Sequence, residues 1–175
     1  VKKEVVFMAD LADIEARLRR FEDIEAIKQL KYRYFRTLDC KQWDELAKCF
    51  TDDATTAYSG GKHSYQGKDA IMKFLREGLN PTMISMHQCH HPEIELTSDT
   101  TAKGMWALYD YLIITSANMS LRGAAFYRDE YVKVNGEWKI KHTGYERIFE
   151  EVWDRGESKS LKLTESMFGQ PGQSP

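Results

Sequence analysis

The stretch from Ile84 to Leu96, ISMHQCHHPEIEL, sets three histidines and a cysteine into a run that otherwise alternates like a strand. Strand alternation places His87, Cys89 and His91 on one face and Gln88 and His90 on the other. Such a row offers two chemistries, holding a metal ion or moving a proton. Alternate strand positions match the spacings of common zinc sites poorly, and the chain contains neither CxxC nor HExxH. No metal is expected, which leaves a structural histidine or, where a pocket supplies partners, a proton carrier. Asp110, in GMWALYDYLI, shares a strand face with Trp106, Leu108 and Leu112. A carboxylate in that row must be paired, protonated or facing a polar pocket, unless it stands exposed at a strand end.

Three further side chains fall within reach of the same interior. Tyr34 continues the apolar stripe of the first helix, and Asp39 sits just beyond that helix's end. Their plain reading is a core aromatic with a satisfied hydroxyl and a cap for the helix that starts at WDEL. Arg147, in TGYERIFEE, is expected to share its face with Tyr145 and Phe149, where it binds an anionic tail, pairs with a carboxylate or forms a surface salt bridge. Brought together, these groups divide labour naturally. An Asp orients an imidazole and raises its basicity, the imidazole takes a proton, and a phenol donates to a developing oxyanion.

The elements that must position them follow from periodicity. Apolar residues recur at helical spacing from Asp10 to Leu38 (Ile14, Leu18, Phe21, Ile24, Ile27, Leu30, Tyr34 and Leu38), predicting a long or broken amphipathic helix. QWDELAKCF predicts a short second helix and KDAIMKFLREGL a third, with TDDATTAYSGGKHSYQG between them as a turn, a strand and a glycine turn. After Pro81 the period changes to two. Four strands rich in aromatic and branched residues follow, the last two joined by the hairpin signal VNGEW. Helices first and antiparallel strands after them predict an α+β fold, with a curved, mostly antiparallel sheet wrapping the helices and a pocket between the layers.

The chain has 175 residues, 42% of them hydrophobic and 30% charged, with a net charge of -2. This is one domain with a real core, and nothing in it points to a nucleic-acid backbone or an anionic membrane surface. A small molecule or another copy of the chain is the expected partner. Three irregularly spaced cysteines (Cys40, Cys49, Cys89), no secretory signal and no run long enough to span a bilayer fit a reducing cytoplasm. Residues 1–12 read as an N-terminal extension, 13–155 as the domain, and 156–175 as a tail that ends in the frayed-looking SMFGQPGQSP.

The pattern DIEAIKQLKYRYFRTLDCKQWDELAKCFTDDA resembles the opening of SnoaL-like members of the nuclear-transport-factor-2-like superfamily, whose cone-shaped α+β fold scytalone dehydratase and ketosteroid isomerase share. With SMHQCHHPEIELTSDTTAKGMWALYDYLI, GAAFYRDEYVKVNGEWKI and TGYERIFEE, it looks like the bile acid 7α-dehydratase family of steroid hydro-lyases, over about residues 23–151. Motif by motif, the resemblance assigns the family's active-site tyrosine to Tyr34, its aspartate after the first helix to Asp39, and its histidine to His87. Its strand aspartate falls on Asp110, its C-terminal arginine on Arg147, and a position near the pocket on Tyr58. Lindane dehydrochlorinase is similar in an Asp and a His at the places of Asp39 and His87, which marks that pair as general elimination machinery. The segment from Thr115 to Arg122 is shorter than in the bile-acid enzymes, and the tail after Trp153 has no match.

The resemblance implies a dehydratase acting on a 3-oxo-4-ene bile acid, free or as its coenzyme A thioester, in a homotrimer. In such a steroid the carbonyl acidifies the C6 proton, and loss of the 7α-hydroxyl extends the conjugation. The reaction calls for a base, an oxyanion donor and proton delivery to the leaving hydroxyl, but no redox cofactor or metal. His87 is then the base oriented by Asp39, Tyr34 the donor or a positioning group, and Asp110 a polar group near the leaving hydroxyl that donates only if burial raises its pKa. The rival readings are an isomerase or dehydratase of another hydroxysteroid or hydroaromatic compound, and a non-catalytic binding module.

Overall fold

In a computed structural model that describes residues 2–169, with side chains from Leu11 onward, three helices pack into a six-stranded sheet. Helix α1 (Lys2–Asp39) is followed by α2 (Trp43–Ala47) and α3 (Lys68–Gly78), with strands β1 (Phe50–Tyr58) and β2 (His63–Gln66) between the last two. Strands β3 (Met83–Leu96), β4 (Thr101–Ile114), β5 (Met119–Val134) and β6 (Glu137–Asp154) complete the sheet in the order β2-β1-β6-β5-β4-β3. β1 runs parallel to β6 and every other pair is antiparallel, so the sheet is mixed. The α+β architecture expected from the sequence is the one found.

Helix α1 ends where its sequence allows no better continuation. Lys41 adopts a left-handed conformation (φ 58°), its N–H bonds to Leu38 O, and the next N–H, of Gln42, reaches back to Thr37 O at 2.8 Å. This is a Schellman stop with lysine where glycine is usual. It makes Asp39 the last helical residue and aims it at β3. The cap position of α2 falls to Gln42, so Asp39 does not cap that helix. The β5–β6 hairpin turns on Asn135 and Gly136, both at positive φ, as the NG signal requires.

Three local expectations change. TDD is not a turn: Thr51 to Asp53 already belong to β1, where the pairing with β6 is irregular between Phe50 and Thr55, and HSYQ forms a further strand rather than loop. Ile14, Leu18 and Phe21 do not join the core, because α1 docks onto the sheet only from Asp23, whose carboxylate accepts the Trp138 indole N–H at 2.8 Å and pairs with Lys133. The stretch read as an extension is helical from Lys2 and continuous with α1, and residues 170–175 of the tail lie outside the described residues.

The core lies between α1 and the inner face of the sheet, around Ile27, Leu30, Leu38, Trp106, Tyr131 and Ile140. It encloses a fully buried ion pair, Lys31 Nζ to Asp129 Oδ2 at 2.6 Å. Tyr131 and Thr143 donate to the same carboxylate at 2.6 and 2.7 Å, and the ammonium lies 3.9 Å from the Tyr127 ring centroid. No helix among the described residues is long and apolar enough to cross a membrane.

Candidate active site

Helices α1 and α3 and the inner face of the sheet leave between them a cavity of about 370 Å³, large enough for a compact organic ligand. Tyr34, Tyr58, His87, Asp110 and Arg147 all line it. Asp39 stands behind His87 and reaches the cavity only through it. A larger depression of about 680 Å³, bordered by Glu93, Lys103, Arg128 and Glu130, contains none of these groups.

The geometry around His87 fixes its chemistry. Asp39 Oδ1 lies 2.7 Å from His87 Nδ1, and Oδ2 accepts the backbone N–H of His87 at 2.8 Å. A carboxylate facing a ring nitrogen can only accept, so Nδ1 carries the proton and Nε2 holds the free lone pair. Ser85 donates to the same Oδ1 at 2.8 Å, and Lys41 Nζ donates to Ser85 Oγ at 3.2 Å. Burial depresses the pKa of the Lys41 ammonium while the Asp39 charge opposes that. Phe35 stacks on the imidazole with ring centroids 5.7 Å apart and a 20° tilt. Carboxylate, backbone and ring stack together hold one tautomer in one orientation.

Tyr34 and Tyr58 share a hydrogen bond of 3.1 Å, and both are buried. Burial, above all, lifts both phenols well above their ordinary range; the neighbouring Tyr127 adds to the effect on Tyr34, and the bond from Tyr58 opposes it. The pair therefore stays protonated and can present one O–H to a ligand. Tyr127 and Tyr145 extend this wall, their rings 5.2 Å apart, with Ser59 donating to the Tyr145 hydroxyl at 3.1 Å.

Asp110 lies beside His87 across the β3–β4 ladder and is held by Arg147 through two bonds, 2.6 Å from Nη1 and 2.8 Å from Nη2. Burial works against the guanidinium charge, but the hydrogen bonds and charge of Asp110 outweigh it and raise the Arg147 pKa. With both oxygens engaged by the Arg147 guanidinium, Asp110 stands as a hydrogen-bond acceptor. Glycine makes the pairing possible. Gly123 lies between Asp110 and Arg147 on β5, and a Cβ there would sit 2.6 Å from Arg147 Nη1 and 2.9 Å from Phe149 O.

Two bulges redraw the predicted faces. His91 takes a left-handed conformation (φ 47°) at an irregularity between His90 and Glu93, so it leaves the row of His87 and Cys89 for solvent. Burial pushes the Cys89 thiol up to about 12, which makes it a poor thiolate. On β6 the register slips at Ile148, so Phe149 turns out to solvent. Glu150 comes in beside Arg147, at 3.2 Å from its Nε. Among the described residues, no three His, Cys, Asp or Glu side chains are placed to hold a metal ion.

Sequence reasoning thus named Tyr34, Tyr58, His87, Asp110 and Arg147 of the lining but missed Ser59, Lys62, His63 and Glu150, the Phe74 and Tyr127 part of the aromatic wall, and Gly123. Phe74 on α3, stacked on Tyr65 at 4.5 Å and on Tyr58 at 6.1 Å, carried only the helical period as a signal. Gly123 carried one: a glycine inside a strand marks a place where something must pass close to the backbone.

A family model described as the SnoaL-like domain matches residues 19–144. Among solved structures, a proposed scytalone dehydratase from Novosphingobium aromaticivorans DSM 12444 is similar at 25% identity, with 76% of this chain and 89% of that one covered and a TM-score of 0.71. A hexachlorocyclohexane dehydrochlorinase, LinA type 3 from Novosphingobium barchaimii LL02, is similar at 20% identity, with 86% and 99% covered and a TM-score of 0.73. A type 2 LinA dehydrochlorinase is similar at 21% identity, with 90% and 99% covered and a TM-score of 0.73.

Proposed function

Because the chain belongs to the SnoaL-like domain family, we propose that it is a lyase that eliminates water from a hydroxylated ring substrate, with His87 as the base. The carrying observation is the Asp39–His87 dyad, 2.7 Å from carboxylate to Nδ1, whose free Nε2 belongs to a residue lining the cavity. The substrate that fits the motif resemblance best is a 7α-hydroxy-3-oxo-4-ene bile acid, free or as a coenzyme A thioester.

In this reading Nε2 removes the C6 proton, and the electron pair of the broken C–H bond delocalises as a dienolate onto the C3 oxygen. The Tyr34–Tyr58 pair donates to that oxygen. Collapse of the dienolate forms the C6–C7 double bond and breaks the C7–O bond, and the departing hydroxide takes the proton from the His87 imidazolium to leave as water. Asp110, adjacent to His87 and restricted to accepting, receives a hydrogen bond from the substrate hydroxyl and holds it next to the imidazole. Arg147 holds Asp110 in place through two hydrogen bonds. Similarity to dehydratase and dehydrochlorinase structures supports the elimination class, since both names describe loss of HX from adjacent carbons.

The test is to incubate the purified protein with the 7α-hydroxy-3-oxo-4-ene bile acid and with its thioester while recording the ultraviolet spectrum. A longer-wavelength dienone band that disappears with His87→Ala is expected. No band with either substrate would move the site to another hydroxysteroid or hydroaromatic compound, and a band that survives His87→Ala would remove His87 as the base.

A further inference from the structure

The cavity carries more charged groups than the elimination uses, and they are not evenly balanced. Arg147 is one positive charge between two carboxylates: Asp110 takes both Nη atoms, and Glu150 Oε2 lies 3.2 Å from Nε. This trio leaves a surplus of negative charge on the β6 side of the opening, where the Glu150 side chain is 44% exposed, and the guanidinium has nothing left to offer an anionic ligand. Lys62 is different. It lines the same cavity, and among the described residues it forms no ion pair.

The turn that carries Lys62 is fixed to the cavity wall. Between β1 and β2 the chain reverses through Ser59, Gly60 and Gly61, all at positive φ (51°, 65° and 86°). A serine in the left-handed region is uncommon and is kept there by its surroundings. Its hydroxyl donates to the Tyr145 hydroxyl at 3.1 Å, the Gly60 N–H donates to Tyr145 O at 2.9 Å, and the Gly61 N–H returns to Tyr58 O at 3.1 Å. His63, which pairs with Tyr58 across the hairpin, stacks on Phe74 with ring centroids 5.2 Å apart. Lys62 therefore leaves a backbone that is held from both sides.

Depth separates this lysine from the phenols. Tyr34 and Tyr58 are buried at the floor of the cavity, whereas Lys62 is exposed at its rim. A ligand that sets its carbonyl oxygen on the phenols and its leaving hydroxyl on Asp110 points the rest of itself outward. A negative group on that outer end meets repulsion beside Glu150 and an unneutralised ammonium at Lys62. At an open rim such a contact is strong enough to select a ligand and too weak to hold one alone.

We propose, on the basis of the elimination reading above, that Lys62 is a specificity residue of this cavity and contacts a negatively charged group at the outer end of the substrate. That group is a carboxylate in the free acid and a phosphate in a coenzyme A thioester, the same chemistry from two sources.

Equilibrium binding tests it without turnover. The ligands are a 3-oxo-4-ene bile acid lacking the 7-hydroxyl, its methyl ester and its coenzyme A thioester, each titrated into the full chain by isothermal calorimetry. Lys62→Gln is expected to weaken the acid, the thioester or both by about fivefold, as loss of an exposed charge contact does, and to leave the uncharged ester unchanged; Lys62→Arg restores the loss. Weakening of the acid alone identifies the carboxylate as the group, and weakening of the thioester alone identifies the phosphate. Unchanged binding of both anions in Lys62→Gln, or an equal loss for the ester, would overturn the proposal while leaving the elimination reading intact. Binding of none of the three by the unaltered chain would remove the steroid substrate and the Lys62 contact together.

Discussion

Two aspartates serve the same cavity, Asp110 on its wall and Asp39 behind His87, and differ chiefly in what holds them. Asp39 is bound to an imidazole, a serine hydroxyl and a backbone N–H, and Asp110 to a guanidinium through both oxygens. The imidazole can gain and lose a proton near neutral pH, and the guanidinium cannot. The same carboxylate therefore tunes a proton carrier in one place and serves as a fixed negative acceptor in the other. A third aspartate, Asp129, completes the series. Fully buried against Lys31 and absent from the lining of that cavity, it has the same kind of charge and no contact with the site. Residue type alone says little about role; the partner and the access decide it.

The largest effect that separates the first two pairs is on rate. His87→Ala is expected to lower kcat by about 10²- to 10⁴-fold with little change in the urea midpoint, because the ring is replaced at a cavity wall. Arg147→Met should do the reverse in emphasis. It strands the buried Asp110 carboxylate, so unfolding free energy should drop by about 3–5 kcal/mol in urea titrations. The double variant Asp110→Asn/Arg147→Met should regain a good part of that loss, since no unpaired charge remains. If the double variant is no more stable than Arg147→Met, the pair is not held together as described.

A subtler break leaves both charges in place. Gly123→Ala puts a methyl group where Arg147 Nη1 now passes, and overpacking of this kind costs about 1–3 kcal/mol. Its KM should rise as Asp110 loses its fixed orientation, while the variant keeps a His87-dependent turnover. A KM equal to that of the unaltered chain would show that the guanidinium reaches Asp110 by another path.

How much of this was legible beforehand depends on whether a property is local or cumulative. The inner phase of β4 is a local alternation with no interruption, so Asp110 could be placed among Trp106, Leu108 and Leu112 from sequence alone. The faces of His91 and Phe149 were misjudged because each lies at or past a bulge, and one inserted residue inverts every later position. The exposed half of α1 was misread for a related reason. Period shows which residues share a helix face, but not whether anything lies opposite that face. The pairing of Asp110 with Arg147, 37 residues apart, depends on strand order and on the missing side chain at Gly123, neither of which a pattern along the chain contains.

The phenols give a prediction about pH. Because burial holds Tyr34 and Tyr58 well above the ordinary phenol range, the donor pair should persist through pH 10, near the unperturbed value of ~10. Turnover should therefore show no alkaline loss below that pH, whereas an inflection at pH 9 to 10 that vanishes in Tyr34→Phe would mean that one phenol is exposed in the working enzyme.

The smallest effect sharpens the contrast most, because it concerns a charge that touches neither the cavity nor the imidazole. Lys41 reaches Asp39 only through Ser85, by bonds of 3.2 and 2.8 Å, and Phe168 of the tail lies 5.5 Å from its ammonium. Its positive charge helps to balance Asp39 and so opposes a second positive charge on His87. Removing it in Lys41→Met makes protonation of the imidazole easier, and protonation disables the base. The acid limb of the kcat/KM profile should then move to higher pH, because a like charge nearby disfavours the protonated imidazole and its removal lifts that effect. Lys41→Arg should restore the limb, because the charge returns. The same pair of substitutions should leave binding of a substrate analogue unchanged, which distinguishes a charge acting through Asp39 from a lysine that merely props the end of α1. An acid limb that stays in place in Lys41→Met would confine the machinery to Asp39, Ser85 and His87.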